Sequence, residues 1–120
     1  MKININKLNG TFIASIDSNE IIINNVQDAL DLMADCGYKG SRKIIIHSKN
    51  ITPDFFDLKT RIAGDILQKF STYNVDLAII GDFSNPTSKS LRDFIYESNK
   101  IGKINFVDSV DEAKARLAMH

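Results

Sequence analysis

The residues with the most chemical potential cluster in one stretch, KIIIHSKNITPDFFDLKT, residues 43–60, where an apolar run ends in a polar loop. His47 closes that run, and a histidine at a strand end can act as a general base because its pKa lies near neutrality. Lys49, Asp54, Asp57 and Lys59 follow it, and Asp82 stands at the end of a second apolar run, VDLAIIGD. His47 and Asp82 are thus the catalytic candidates, and with Lys59 they would form the site of a small enzyme or ligand sensor. No serine or cysteine in a nucleophile-elbow context accompanies them, and no acidic residue identifiable from sequence orients His47. The competing reading is plain: polar loop residues cap helices and satisfy backbone groups in every α/β protein.

Other chemistries are disfavoured. Only two histidines, His47 and His120, are available, the usual zinc spacings are absent, and carboxylates such as Asp57 and Asp82 serve as helix caps more often than as magnesium ligands. Neither G-x-G-x-x-G nor G-x-x-x-x-G-K-[ST] occurs, so the common phosphate cradles are missing and no cofactor is implied. Fifteen basic residues balance fifteen acidic ones, which argues against a nucleic-acid partner. Cys36, the single cysteine, cannot form an internal disulfide and sits on an apolar helical stripe, which points to burial. No apolar stretch approaches the roughly 20 residues that span a bilayer. The start, MKININKLNG, lacks the apolar core of a signal peptide. These features together predict a soluble cytoplasmic protein without membrane contact.

The 120 residues suit one domain over positions 1–120. Asn9-Gly10 fits a type I′ turn and predicts a hairpin whose second strand, Thr11 to Ile16, sets Phe12, Ala14 and Ile16 on one face and Ile13 on the other. A helix capped by Asn24 or Asn25 buries Val26, Ala29, Leu30, Met33 and Cys36 and stops at Gly37. KIIIHS and VDLAIIGD read as strands covered on both faces. Between them the stripe Leu58, Ile62, Ile66, Phe70 and Tyr73 predicts a helix. A third helix over Ser88 to Lys100 buries Leu91, Phe94, Ile95 and Ser98 and leaves Tyr96 outside; KINFVD is the last strand. In SVDEAKARLAMH, Ser109 and Glu112 form a capping box. The order is β-β-α-β-α-β-α-β-α, an α/β sandwich with a largely parallel sheet.

In such a sheet the loops leaving the C-terminal strand ends carry most ligand sites. That rim holds His47, Ser48, Lys49 and Asn50, then Gly81, Asp82, Phe83 and Ser84, then Asp108 and Ser109, with Asp57 and Lys59 joining at the next helix start. Thr52 and Pro53 predict a short helical turn that sends one of Phe55 and Phe56 into the core and leaves the other partly exposed as an interface anchor. Thr60, Ala63, Gly64 and Leu67 line a second helix face, on which Gly64 predicts close approach by another backbone, from the protein's own sheet or a partner. A face of small residues also predicts a homodimer.

The segments ITPDFFDLKTRIAGDILQKF, LAIIGDFS, SLRDFIYESNK and NNVQDALDLMADCGY together resemble an uncharacterised bacterial family, domain of unknown function 4180, a likeness that covers nearly the whole chain and brings no established activity. The element order is also similar to the STAS fold, named for sulfate transporters and anti-sigma-factor antagonists. In those antagonists a loop after a buried strand carries D-S-S-G, and phosphorylation of a serine there switches binding to a partner kinase. Against that motif Asp57 falls on the aspartate, Leu58 and Lys59 on the serines, and Thr60 on the glycine. Lys59 thus occupies the phosphoacceptor position and cannot be phosphorylated; Thr60, the nearest hydroxyl, is turned by about 100° around a helix. The resemblance implies a fold often used for protein contacts. The expected function is therefore a regulatory or adaptor domain binding a protein partner through Phe55, Phe56, Asp57, Lys59, Thr60, Gly64, Gly81, Asp82, Phe83 and Ser84.

Overall fold

A computed structural model describes residues 1–119. Five strands form one mixed sheet in the order β1-β2-β3-β4-β5, comprising β1 (Lys2–Leu8), β2 (Thr11–Asp17), β3 (Lys43–His47), β4 (Asp76–Ile80) and β5 (Ile104–Val107). β1 runs antiparallel to β2, and the remaining pairs are parallel. The helices alternate with the strands: α1 (Val26–Tyr38), α2 (Ile62–Tyr73), α3 (Lys89–Ile101) and α4 (Val110–Ala118). Asn9 and Gly10 both adopt positive φ, +52° and +80°, as a type I′ turn requires.

Because each parallel strand lies beside its predecessor, right-handed crossovers place α1, α2 and α3 on the same face. The side-chain alternation of β3 and β4 serves both faces. Ile44, Ile46, Leu77 and Ile79 join the core beneath α1–α3, whereas Ile45, Ala78 and Ile80 join Ala113 and Leu117 of α4 on the other side. That is why both strands are continuously apolar. Each such buried aliphatic side chain contributes on the order of 1.5–3 kcal/mol.

Asn25, one of the two caps offered by the sequence, and Ser109, the expected cap of the last helix, accept from Asp28 and Glu112 N–H groups, and Ser88 caps α3 by accepting from Leu91 N–H. Two boundaries differ. α1 continues through Gly37, and the left-handed residue beyond it is Gly40, with φ +90°. Leu32, two turns from either end, is buried beside Met33, while Val26 and Leu30 are half-buried at the margin. α2 begins at Ile62, because Arg61 sits at φ +65° and breaks the helical path after Leu58–Thr60, a separate 3-10 turn. Tyr73, at the end of α2, is 56 % exposed and leaves the stripe formed by Ile62, Ile66 and Phe70.

At the N-terminal ends of the strands Asp76 is largely buried between Lys43 and Lys103, each 3.0 Å away, which ties β3, β4 and β5 together. Among the described residues no helix is long and apolar enough to cross a membrane.

Candidate functional site

The register sets Ile46 beside Ile79 and His47 beside Ile80, so the chain leaves β3 and β4 side by side at one edge. Three 3-10 turns follow β3: Ser48–Asn50, Pro53–Phe56 and Leu58–Thr60. Asn50 anchors the first of them. Its fully buried side chain donates to the Ser18 and Glu20 carbonyls at 2.8 and 2.9 Å and accepts from His47 N–H at 3.2 Å. Ile22 and Ile23 N–H groups donate to the Asn50 carbonyl, and Thr52 N–H donates back to Ile23, so the β2 and β3 exits are tied together.

The second turn starts with Thr52 accepting from Asp54 N–H and Pro53 at the first position, as read from the sequence. Phe55 enters the core at 1 % exposure, and Phe56 stays partly exposed. A chain of rings runs outward from there. Phe55 meets Phe56 at 5.0 Å between centroids, Phe56 meets Phe83 at 6.1 Å, and Phe83 stands edge-on to Phe106 at 5.1 Å. Edge-to-face aromatic pairs of this kind add about 0.5–1.5 kcal/mol beyond area burial. The exits of β3 and β4 are thus joined by an aromatic seam.

Gly81 permits that closeness. A Cβ there would lie 2.8 Å from Ser48 Oγ and 2.9 Å from Phe83 Cζ, inside normal contact distance. Gly64 is the opposite case: among the described residues a Cβ there would meet nothing within 4 Å, so the expected close approach by the protein's own sheet is absent. Of the expected second face of α2, Ala63 is buried and Thr60 belongs to the preceding 3-10 turn, while Gly64 stays exposed and Leu67 half-buried. Thr60 Oγ1 is tied into that turn, donating towards the Asp54 and Asp57 carbonyls at 2.7 and 2.8 Å.

Two adjoining concavities open on the α1–α3 side of this edge. One, of about 430 Å³, lies between the loop after β3, the loop after β4 and the first turns of α3. Its walls are Ile21, Ile51, Pro53, Phe56, Phe83, Pro86, Leu91 and Ile95, with Ser48, Lys49, Asp82, Asn85 and Thr87 as polar rim. The other, of about 770 Å³, is bounded by Asp57, Leu58, Lys59, Ser88 and Ser90 and shares Pro53, Phe56 and Thr87 with the first. The result is a broad open groove with Phe56 at its waist.

Asp57 caps a 3-10 turn, and Asp82 closes a local loop turn. Asp57 accepts from Lys59 N–H. Asp82 accepts from both the hydroxyl and the backbone N–H of Ser84, at 2.6 and 3.1 Å, and these bonds hold its pKa below the ordinary carboxylate value. The three residues of the enzyme reading do not assemble. His47 alternates with Ile46 and therefore projects to the α4 side of the sheet, Asp82 lines the first concavity, and Lys59 lines the second. Among the described residues, no three His, Cys, Asp or Glu side chains converge as metal ligands would.

Sequence reasoning located Phe56, Asp57, Lys59, Asp82 and Phe83 on this edge but missed Ile21, Ile51, Pro86, Thr87, Leu91 and Ile95. Pro86 and Thr87 in FSNPTS carried a signal, since a turn leading into a capped helix must present its residues at the strand ends. Ile21 and Ile51 carried none, because the pairing of Ile23 with Ile51 that brings them there is a single isolated bridge.

The geometry defines a small α/β domain with an open, mostly apolar groove at the C-terminal edge of a mixed sheet. The chain belongs to the family described as "Domain of unknown function (DUF4180)", whose family model matches residues 8–117. No curated protein matches the chain, and no solved structure does.

Proposed function

We propose that the protein is a single-domain cytoplasmic regulatory or adaptor module of STAS-like architecture that binds a segment of a partner protein in the groove between residues 48–59 and 82–91. The observation that carries this reading is the groove itself: wide, open along its length, walled by apolar side chains and rimmed with hydroxyls and amides. A partner segment would seat an apolar side chain against Phe56 and Phe83 and meet Lys49, Asp57, Lys59, Asp82 and Thr87 at the rim. The hairpin, the alternating strands and helices and the mixed sheet support the STAS-like assignment, as does the placement of the loop after a buried strand. The phosphorylation switch of the antagonists is not part of the proposal, because Lys59 holds the phosphoacceptor position and the Thr60 hydroxyl is bound within its own turn.

One observation favours a second reading, a small-ligand sensor. The concavity beside Lys49 and Asp82 has a volume within the range of ligand sites, about 300–1,000 Å³, with a few polar groups on apolar walls. A single experiment separates the two. Thr87 is exposed and borders both halves of the groove, so Thr87→Arg obstructs it without touching the core. Affinity capture from cells, with the eluate analysed for proteins and small molecules, should return a stoichiometric protein with the wild type and lose it with Thr87→Arg. A retained metabolite lost in the same variant would establish the sensor instead.

A further inference from the structure

The two edges of the sheet are treated differently. At β5 the side-chain amide of Asn99 seals the strand: it accepts from Phe106 N–H at 2.7 Å and donates to the Phe106 carbonyl at 3.2 Å, taking the place of a neighbouring strand. Arg116 in turn donates to the Asn99 carbonyl at 3.2 Å. No comparable cover lies on β1 among the described residues. The register of the hairpin fixes which of its groups face outward. Leu8 and Thr11 flank the two-residue turn as a hydrogen-bonded pair, so bonding alternates through Asn6–Ile13, Asn4–Ser15 and Lys2–Asp17. The N–H and C=O groups of Ile3, Ile5 and Lys7 therefore point away from β2. The Phe12 carbonyl obeys the same alternation on the far side, where it accepts from Ser41 Oγ at 2.9 Å.

We propose that the β1 edge is the self-association surface of this protein, pairing antiparallel with β1 of a second copy about a twofold axis at Ile5. This register uses the whole strand and sets every outward group of Ile3, Ile5 and Lys7 against its complement. It places Ile5 against Ile5, Ile3 against Lys7, Asn4 against Asn6 and Lys2 against Leu8. No like charges stand opposite one another, although the strand carries two lysines and no acid. Ile3 and Ile5, half-buried at the margin of the core, would form a continuous apolar strip with their counterparts. An unpaired, regular edge of this length is a template for strand addition, and a twofold axis makes a second copy the self-complementary occupant. On the small-residue face of α2 Ala63 is buried, so β1 is the surface proposed.

Ile5→Pro tests the proposal, because the N–H it removes is not used by β2, so the hairpin ladder keeps its bonds. In sedimentation from micromolar to submillimolar concentration, the wild type should approach twice the 13.4 kDa chain mass. Ile5→Pro should remain at the single-chain mass with an unchanged circular dichroism spectrum. A wild type that stays monomeric throughout, or a folded Ile5→Pro that still dimerises, overturns the proposal. Should the variant fail to fold, hydrogen exchange of the wild type decides: amides of Ile3, Ile5 and Lys7 gain protection as concentration rises, and unchanged exchange there overturns it. Neither measurement depends on the groove having a partner.

Discussion

Cys36 shows how a single side chain can be read from the sequence and then given a physical consequence. It lies on the buried stripe of α1 with no exposed surface, and burial pushes its thiol from an ordinary 9.0 up to about 11, with Asp35 adding to the rise. The native state therefore holds this proton where the unfolded chain releases it. The corresponding stability is fully present below the unfolded pKa and is lost as pH rises through about 11. Denaturant unfolding at pH 8 and pH 10 should show a larger drop in midpoint for the wild type than for Cys36→Ala; equal drops would contradict the assignment. Asn50 is the contrasting residue. It was recognised only as part of a polar rim, yet its three bonds lock two strand exits together, and nothing in its local sequence specifies partners some 30 positions away.

At the scale of elements, two glycines give opposite predictions. Gly81 is pressed against Ser48 and Phe83, so Gly81→Ala must displace the aromatic ring or the β3 exit, at a cost of about 1–3 kcal/mol. Gly64 faces open space within α2, so Gly64→Ala should stabilise by roughly 0.5–1 kcal/mol. Thermal or denaturant unfolding of the pair checks both signs, and an amide shift map of Gly81→Ala should show Phe56 and Phe83 moving. The strands and helices were legible because their periodicity is set by burial, which every residue in the element reports. KIIIH and DLAII announced two covered faces, and NG announced the hairpin. The start of α2 was not legible, since Leu58 keeps helical spacing with Ile62 while the left-handed backbone at Arg61 interrupts the helix between them. Gly37 misled for a similar reason: the helix tolerates it, and the positive φ falls three residues later.

For the whole molecule, the edge on which the candidate site lies followed from the parallel pairing of β3 and β4, and that pairing was readable. What was not readable is which face of that edge each side chain takes. A shift of one residue reverses a strand's faces, so His47 went to the α4 side while Phe56, Phe83 and Leu91 closed around the groove on the other. The catalytic combination of His47, Lys59 and Asp82 came apart through that alternation at His47 and through the placement of Asp82 and Lys59 in two separate concavities, leaving the groove as the surface to test. The most direct test puts a photoreactive phenylalanine analogue in place of Phe56 at the waist of the groove and, separately, in place of Tyr38, 94 % exposed at the end of α1. Irradiated in cells, the Phe56 position should yield a defined protein adduct that falls severalfold when Thr87→Arg is added, with no such adduct from the Tyr38 position. An adduct formed equally from both positions, or one at Phe56 indifferent to Thr87→Arg, would contradict the groove as the binding surface.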